Sequence, residues 1–126
     1  MARVLIVDDD PIILELVVMN FELEGHEVRT AANGPDALDL AGSWSPDAII
    51  LDVMMPGLSG FEVCQQLRDE PSTAEIPVVL LSARALGRDV EEGLAAGAVA
   101  YVTKPFDPLE LVEQIEQLVR GAPAGP

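Results

Sequence analysis

Four short apolar runs lead into side chains that can do chemistry. Val4-Leu5-Ile6-Val7 ends in Asp8-Asp9, and Ala48-Ile49-Ile50-Leu51 ends in Asp52. Val78-Val79-Leu80-Leu81 ends in Ser82, and Val99-Ala100-Tyr101-Val102 leads through Thr103 to Lys104, the chain's only lysine. Set side by side, these ends gather three carboxylates, a hydroxyl and an ammonium in one crevice. Carboxylates about 4–5 Å apart repel by roughly 4 kcal/mol per pair at an effective dielectric near 20. Asp8, Asp9 and Asp52 must therefore either protonate one member or recruit a cation. Oxygen-only donors in a crevice open to water favour a hard divalent ion that keeps several waters, magnesium first and manganese as a substitute. The loop after Asp52 can add a backbone carbonyl, with Met54 the candidate.

Ser82 and Lys104 suit an anion better than a metal. Facing a cation across a carboxylate, a hydroxyl and an ammonium form a pocket for a phosphoryl group, whose charge spreads over three oxygens. Asp52 at its centre is the natural nucleophile, as in aspartyl-phosphate chemistry. The predicted activity is magnesium-dependent acceptance of a phosphoryl group.

The crevice exists only if the four runs are parallel strands of one sheet. Short apolar runs alternate with helical patterns along the whole chain, as βαβ units do. Asp10-Pro11 is an N-cap followed by proline at the first helical position. The helix it opens turns Ile13, Leu14, Val17, Val18 and Phe21 inward and stops at Gly25. Glu27-Val28-Arg29-Thr30 alternates in polarity and reads as an edge strand. Asn33 caps a second helix with Ala37, Leu40 and Ala41 inward, which ends near Ser45-Pro46. A third helix from about Ser59 to Arg68 presents Phe61, Cys64 and Leu67, and a Pro-containing loop to Pro77 follows it.

The runs 48–51 and 78–81 are apolar throughout, as central strands covered on both faces must be. After Ser82 comes a weaker helix containing Gly87 and Gly93, a soft and repositionable element. Val99, Tyr101 and Thr103 alternate on the second edge strand. Asp107-Pro108-Leu109-Glu110 is a capping-box-like start for a last helix carrying Leu111, Val112, Ile115, Leu118 and Val119. Strict alternation of five strands and five helices makes an α/β, doubly wound parallel sheet, in which ligands bind at the carboxyl ends of the strands. Residues 1–120 form one domain, and Gly121 to Pro126 has the composition of a tail or linker remnant.

Bulk composition narrows the partners. The chain has 126 residues and a formal net charge of −15, enough for one core and too acidic for direct binding to nucleic acid or anionic lipid. Arg3, Arg29, Arg68, Arg84, Arg88 and Arg120 are scattered and form no basic stripe. Although 49% of the residues are hydrophobic, no apolar run approaches the ~18 residues of a membrane span. With no basic leader and a single cysteine, Cys64, the expected location is the cytoplasm.

Ile6-Val7-Asp8-Asp9-Asp10-Pro11, Leu51-Asp52-Val53-Met54-Met55-Pro56-Gly57, Leu81-Ser82-Ala83 and Thr103-Lys104-Pro105-Phe106 occur in the order of the four motifs of the response-regulator receiver domain. The chain resembles that family, chemotaxis-regulator-like members included, over residues 3 to 120. The resemblance implies a flavodoxin-like sheet of order 2-1-3-4-5. It implies Asp52 as phosphoacceptor, Asp8 and Asp9 as the metal-binding pair, Ser82 and Lys104 as phosphoryl contacts, and a cis Lys104–Pro105 bond. Phosphate would come from a phosphohistidine on a sensor histidine kinase or phosphotransfer protein. The domain would catalyse only its own phosphorylation and dephosphorylation, and so would not be an enzyme in the usual sense.

The resemblance also implies a switch. On phosphorylation the Ser82 hydroxyl moves toward the new oxygens and vacates space for Tyr101. The helix at roughly 88–96, the fifth strand and the last helix then form the face read by an output protein or domain. The domain would act as a monomer or as a phosphorylation-dependent dimer. Val99-Ala100-Tyr101 and Glu113-Gln114-Ile115 lack the acidic and basic pairs of the dimers formed by receivers attached to winged-helix DNA-binding domains.

Taken singly, the residues have ordinary roles. Asp10 is a helix cap, Asp52 starts a loop, Ser82 caps or turns, and Lys104 is a solvated loop lysine. Trp44, Phe106 and Cys64 are packing residues, and His26, after Gly25, is expected to be exposed at a turn without a phosphotransfer role. Their conjunction carries the functional case. The main alternative is a haloacid-dehalogenase-type phosphatase with Asp8 as nucleophile in Asp8-x-Asp10. It leaves Asp52 unused and finds no acidic pair after Lys104. A flavodoxin-like cofactor site would set Asp8-Asp9-Asp10 against a phosphate, which they repel, and nothing supports an interaction module that no longer takes phosphate. Met54 and Arg84, two residues beyond Asp52 and Ser82, border the expected path of hydrolytic water, and an apolar Met54 cannot orient it.

Overall fold

In a computed structural model, which describes residues 2–83 and 86–120, five parallel strands alternate with five helices. The strands are β1 (Arg3–Val7), β2 (Glu27–Ala31), β3 (Ala48–Asp52), β4 (Val78–Ser82) and β5 (Ala100–Thr103). The helices are α1 (Pro11–Leu23), α2 (Gly34–Trp44), α3 (Gly60–Asp69), α4 (Gly87–Ala95) and α5 (Pro108–Val119). The sheet order is β2-β1-β3-β4-β5, so β1 and β3 are neighbours with the chain diverging on either side, the switch point where doubly wound sheets bind ligands. The tail 121–126 and Arg84 lie outside the described residues.

Burial follows the polarity pattern. Every residue of β3 and β4 is buried, while β2 is largely exposed. One core layer joins Leu5, Ile49, Leu51 and Leu80 to Ala37, Ala41 and Trp44 of α2 and Val63, Cys64 and Leu67 of α3. The other joins Val4, Ile6, Ile50, Val79 and Leu81 to Val17 and Phe21 of α1 and Leu111, Val112 and Ile115 of α5. Trp44 closes the first layer at its edge, with the Arg29 guanidinium 4.9 Å and that of Arg3 5.8 Å from its ring centre. Phe106 packs on the second layer.

Local sequence starts the helices where expected. Asp10 accepts from the Ile12 N–H, Asn33 from the Asp36 N–H and Asp107 from the Leu109 N–H. Ser59 and Glu62 complete a reciprocal capping box on α3. By contrast, α4 follows Leu86 with no side-chain cap.

Three details depart from expectation. The α1 surface carries a second apolar row, Ile12, Leu16, Met19 and Leu23, all exposed. Val99 stands outside β5 and is exposed, although its N–H donates to the Val78 carbonyl at 2.9 Å. His26 is not exposed: its side chain is 7% accessible. Its Nδ1 accepts from the Ala2 N–H at 3.1 Å, and its Nε2 meets Glu116 Oε2 at 2.7 Å. The turn at Gly25 (φ +87°) folds the imidazole back over Phe21 toward α5, a long-range contact that a local turn pattern does not reveal.

Candidate functional site

The β1–β3 register runs from Val4↔Ala48 to Val7↔Leu51, which sets Asp8 and Asp52 abreast one residue further on. Side chains alternate along strands. Asp8 and Asp52 therefore continue the side of Ile6 and Ile50, facing α1 and α5. Ser82 continues the side of Leu80, which is paired with Tyr101, beneath α4. The strand ends thus present their charged groups and their hydroxyl from opposite sides of the sheet.

Lys104 ties the charged side together. Its Nζ donates to Asp8 Oδ2 at 3.0 Å and lies 3.4 Å from Asp52 Oδ1. Its backbone N–H donates to the Ser82 carbonyl at 2.8 Å, and the Lys104–Pro105 peptide bond is cis. Asp8 is fully buried, and its other oxygen accepts from the Asp10 N–H at 2.9 Å. Asp52, 4% exposed, also accepts from the Met54 N–H at 3.3 Å. Asp9 is exposed at the rim, and Asp8, Asp9 and Asp52 each offer an oxygen within 4.8 Å of the others. Asp10 turns away to cap α1, as expected. Ser82 is fully buried at the end of β4.

Electrostatics follow from three carboxylates and one ammonium. Burial, with the neighbouring Asp8 charge, pushes the Asp52 carboxyl from its ordinary 3.8 up to about 6, against the opposing pull of Lys104 and the Met54 N–H. Burial alone would lower the Lys104 ammonium, but its hydrogen bond to Asp8 and the charges of Asp52 and Asp8 hold it above its ordinary value. The negative charge on Asp52 is therefore disfavoured where it stands, despite the neighbouring ammonium. Oxygen donors at this spacing fit a hard divalent cation.

One site feature escapes the sequence pattern. At Gly60 a Cβ would fall 2.5 Å from the Asp52 carbonyl oxygen and 2.7 Å from Val53 Cα, and the Gly60 N–H donates to the Val53 carbonyl at 2.9 Å. Only glycine lets α3 begin directly on the backbone that carries Asp52. The signal was present in Ser59-Gly60-Phe61-Glu62, a cap followed at once by glycine. Away from the site, Asp89 is buried on α4, where charge patterning alone gives no warning. Met54 projects outward, 54% exposed.

Fold and crevice together define a flavodoxin-like α/β domain with an acidic strand-end site. Within that class the chain belongs to the response regulator receiver domain family, whose model matches residues 4–116. It is 44% identical to the DNA-binding dual master transcriptional regulator RpaA of Synechocystis over 95% of this chain and 50% of that protein. It is 38% identical to protein PilH of Pseudomonas aeruginosa, over 96% of this chain and all of that protein. Among solved structures, it superposes with TM-score 0.87 on the receiver domain of a Pseudomonas aeruginosa sensor histidine kinase, at 29% identity over 96% of this chain and 98% of that one. That structure carries a magnesium ion coordinated in its active-site cleft. The chain spans half or less of the first curated relatives it matches. Phosphorylation by a histidine kinase is the family's general function, and no helix among the described residues is long and apolar enough to cross a membrane.

Proposed function

We propose that Asp52 accepts a phosphoryl group from a phosphohistidine on a sensor histidine kinase or phosphotransfer protein. The supporting observation is a pair of buried carboxylates, Asp8 and Asp52, bridged by the ammonium of the chain's one lysine. An Asp52 carboxylate oxygen attacks phosphorus, the P–N bond breaks, and its electron pair returns to the imidazole, which takes up a proton. The product is an acyl phosphate on Asp52 and a neutral histidine on the donor. Asp8, Asp9, Asp52 and the Met54 carbonyl would hold magnesium, or manganese in its place. When bound, the metal offsets charge on the phosphoryl oxygens. Lys104, already held between Asp8 and Asp52, lies within reach of a second phosphoryl oxygen, and the Ser82 hydroxyl serves a third.

Phosphorylation then draws Ser82 toward the new group and admits Tyr101 into the space behind it. The face of α4, β5 and α5 changes and is read by an output protein or domain. The net charge of −15 supports protein partners with basic patches rather than direct contact with nucleic acid or membrane. The setting is the cytoplasm, where kinase phosphohistidines are made, and the domain works as a monomer or as a phosphorylation-dependent dimer.

The test is incubation with acetyl phosphate and magnesium, followed by intact mass. One phosphoryl adduct is expected, lost in Asp52→Asn and lost on chelation. A folded protein that takes no adduct under any of these conditions refutes the proposal.

A further inference from the structure

Helix α4 meets the sheet through a residue without a side chain. A Cβ built on Gly93 would fall 2.8 Å from Leu80 Cδ1, 3.0 Å from Tyr101 Cδ2 and 3.4 Å from Phe61 Cε1. The first two separations are closer than side-chain carbons normally approach, so the α4 backbone lies directly on Leu80 and on the tyrosine ring. Gly87, in the same helix, would meet nothing within 4 Å. A glycine inside a helix costs about 1 kcal/mol relative to alanine, and only at position 93 does that cost go with a close approach.

The neighbours differ in their freedom to yield. Leu80 is fully buried in the central strand β4 and is held on every side. Tyr101 sits on edge strand β5 and is only half-buried, so its ring is less tightly enclosed than Leu80. Leu80 pairs with Tyr101, and Ser82 follows two residues later on the same side of the sheet.

We propose that Gly93 is a positioning residue for Tyr101: the missing side chain sets how deeply the ring lies between α4 and β4. A methyl at this point holds the ring outward and severs its response to Ser82. The inference rests on the switch role proposed for Tyr101, but the ring's resting position can be tested without it.

The chain contains one tyrosine, so incorporation of 3-fluorotyrosine gives a single fluorine resonance. In the unphosphorylated protein, Gly93→Ala should move that resonance toward its value in the unfolded chain, while Gly87→Ala leaves it in place. The paired change Gly93→Ala with Leu80→Val trades one methylene for another and removes the Leu80 Cδ1 contact. It should recover most of the lost Tm yet leave the resonance displaced, because the contact with the ring remains. It also serves as the test if Gly93→Ala alone does not fold. An unmoved resonance in Gly93→Ala, or a wild-type resonance in the paired variant, overturns the proposal. Adding acetyl phosphate and magnesium should move the wild-type resonance and leave that of Gly93→Ala nearly still. A wild-type resonance that ignores an acyl phosphate verified by mass refutes the Tyr101 switch itself, while the unphosphorylated spectra still decide the role of Gly93.

Discussion

Replacing Asp52 by asparagine should make the metal-free protein more stable at neutral pH, although it removes the proposed phosphoacceptor. Burial and the Asp8 charge raise the Asp52 carboxyl from 3.8 to about 6. Each pKa unit is worth about 1.4 kcal/mol, so ionised Asp52 opposes folding by on the order of 3 kcal/mol. The sign follows from proton counts. Between pH 6 and 3.8 the folded protein holds a proton that the unfolded chain has already released, so stability rises as pH falls through this window. Above it the penalty is present in full, and below it the penalty is gone. Asparagine keeps the shape and an acceptor for the Met54 N–H and Lys104, but carries no charge.

Urea denaturation of both proteins in EDTA at pH 8, 7, 6, 5 and 4 follows this group, because carboxylates remote from Asp52 titrate alike in the two proteins. Asp52→Asn should lead by about 2–3 kcal/mol at pH 8, with the gap closing as pH falls through 6 toward 4. Magnesium at pH 8 should stabilise the wild type and narrow the gap by binding only the folded, charged crevice. Equal stability at pH 8, or a gap that persists at pH 4, would refute the reasoning, since either means that Asp52 is not strained by its own charge.

Lys104→Met leaves Asp8 and Asp52 without their shared cation. It should cost roughly 2–3 kcal/mol at pH 8 in urea melts, near the low end for breaking a buried pair because the ammonium is partly wet. Acidification should recover much of that loss. His26→Ala removes the hydrogen bonds to the Ala2 N–H and Glu116, and should cost about 1–3 kcal/mol in the same melts with phosphoryl uptake from acetyl phosphate unchanged. Met54→Asn puts an amide where an exposed thioether now borders the crevice. One hydrogen bond of about 1 kcal/mol to the attacking water should speed loss of the phosphoryl group about fivefold, read as decay of the phosphoprotein mass, and an unchanged rate would exclude that path for water.

The fold was legible because alternation fixes it: fully apolar β3 and β4 have to be central, and the polar alternation of β2 has to be an edge. The acidic cluster was legible for the same reason, since Asp8 and Asp52 directly follow paired strands. What escaped depends on contacts between distant parts of the chain. The burial of His26 is decided by Glu116, ninety positions away. The tight fit of Gly60 is decided by the backbone of β3, and that of Gly93 by Leu80 and Tyr101. A glycine in a helix pattern reads as weakness until the surface opposite it is known. The outer apolar row of α1 was hidden differently, because a helix apolar on most sides has no single periodic face.

The period of two that makes the sheet readable also poses the problem this site has to solve. Asp52 and Tyr101 belong to opposite sides of the sheet, so a charge placed on one does not act on the other through packed side chains alone. The proposed connection must run around a strand end, beyond the last rung of the β3–β4 ladder, where a side chain can reach both sides. Ser82 occupies such an end, fully buried, and its carbonyl is fixed by the Lys104 N–H. The side chain that would report the phosphoryl charge therefore shares a backbone hydrogen bond with the residue that would bind it. A shift of either strand end would disturb both, which explains why the hydroxyl belongs on β4 and the ammonium just past β5 rather than together on one loop.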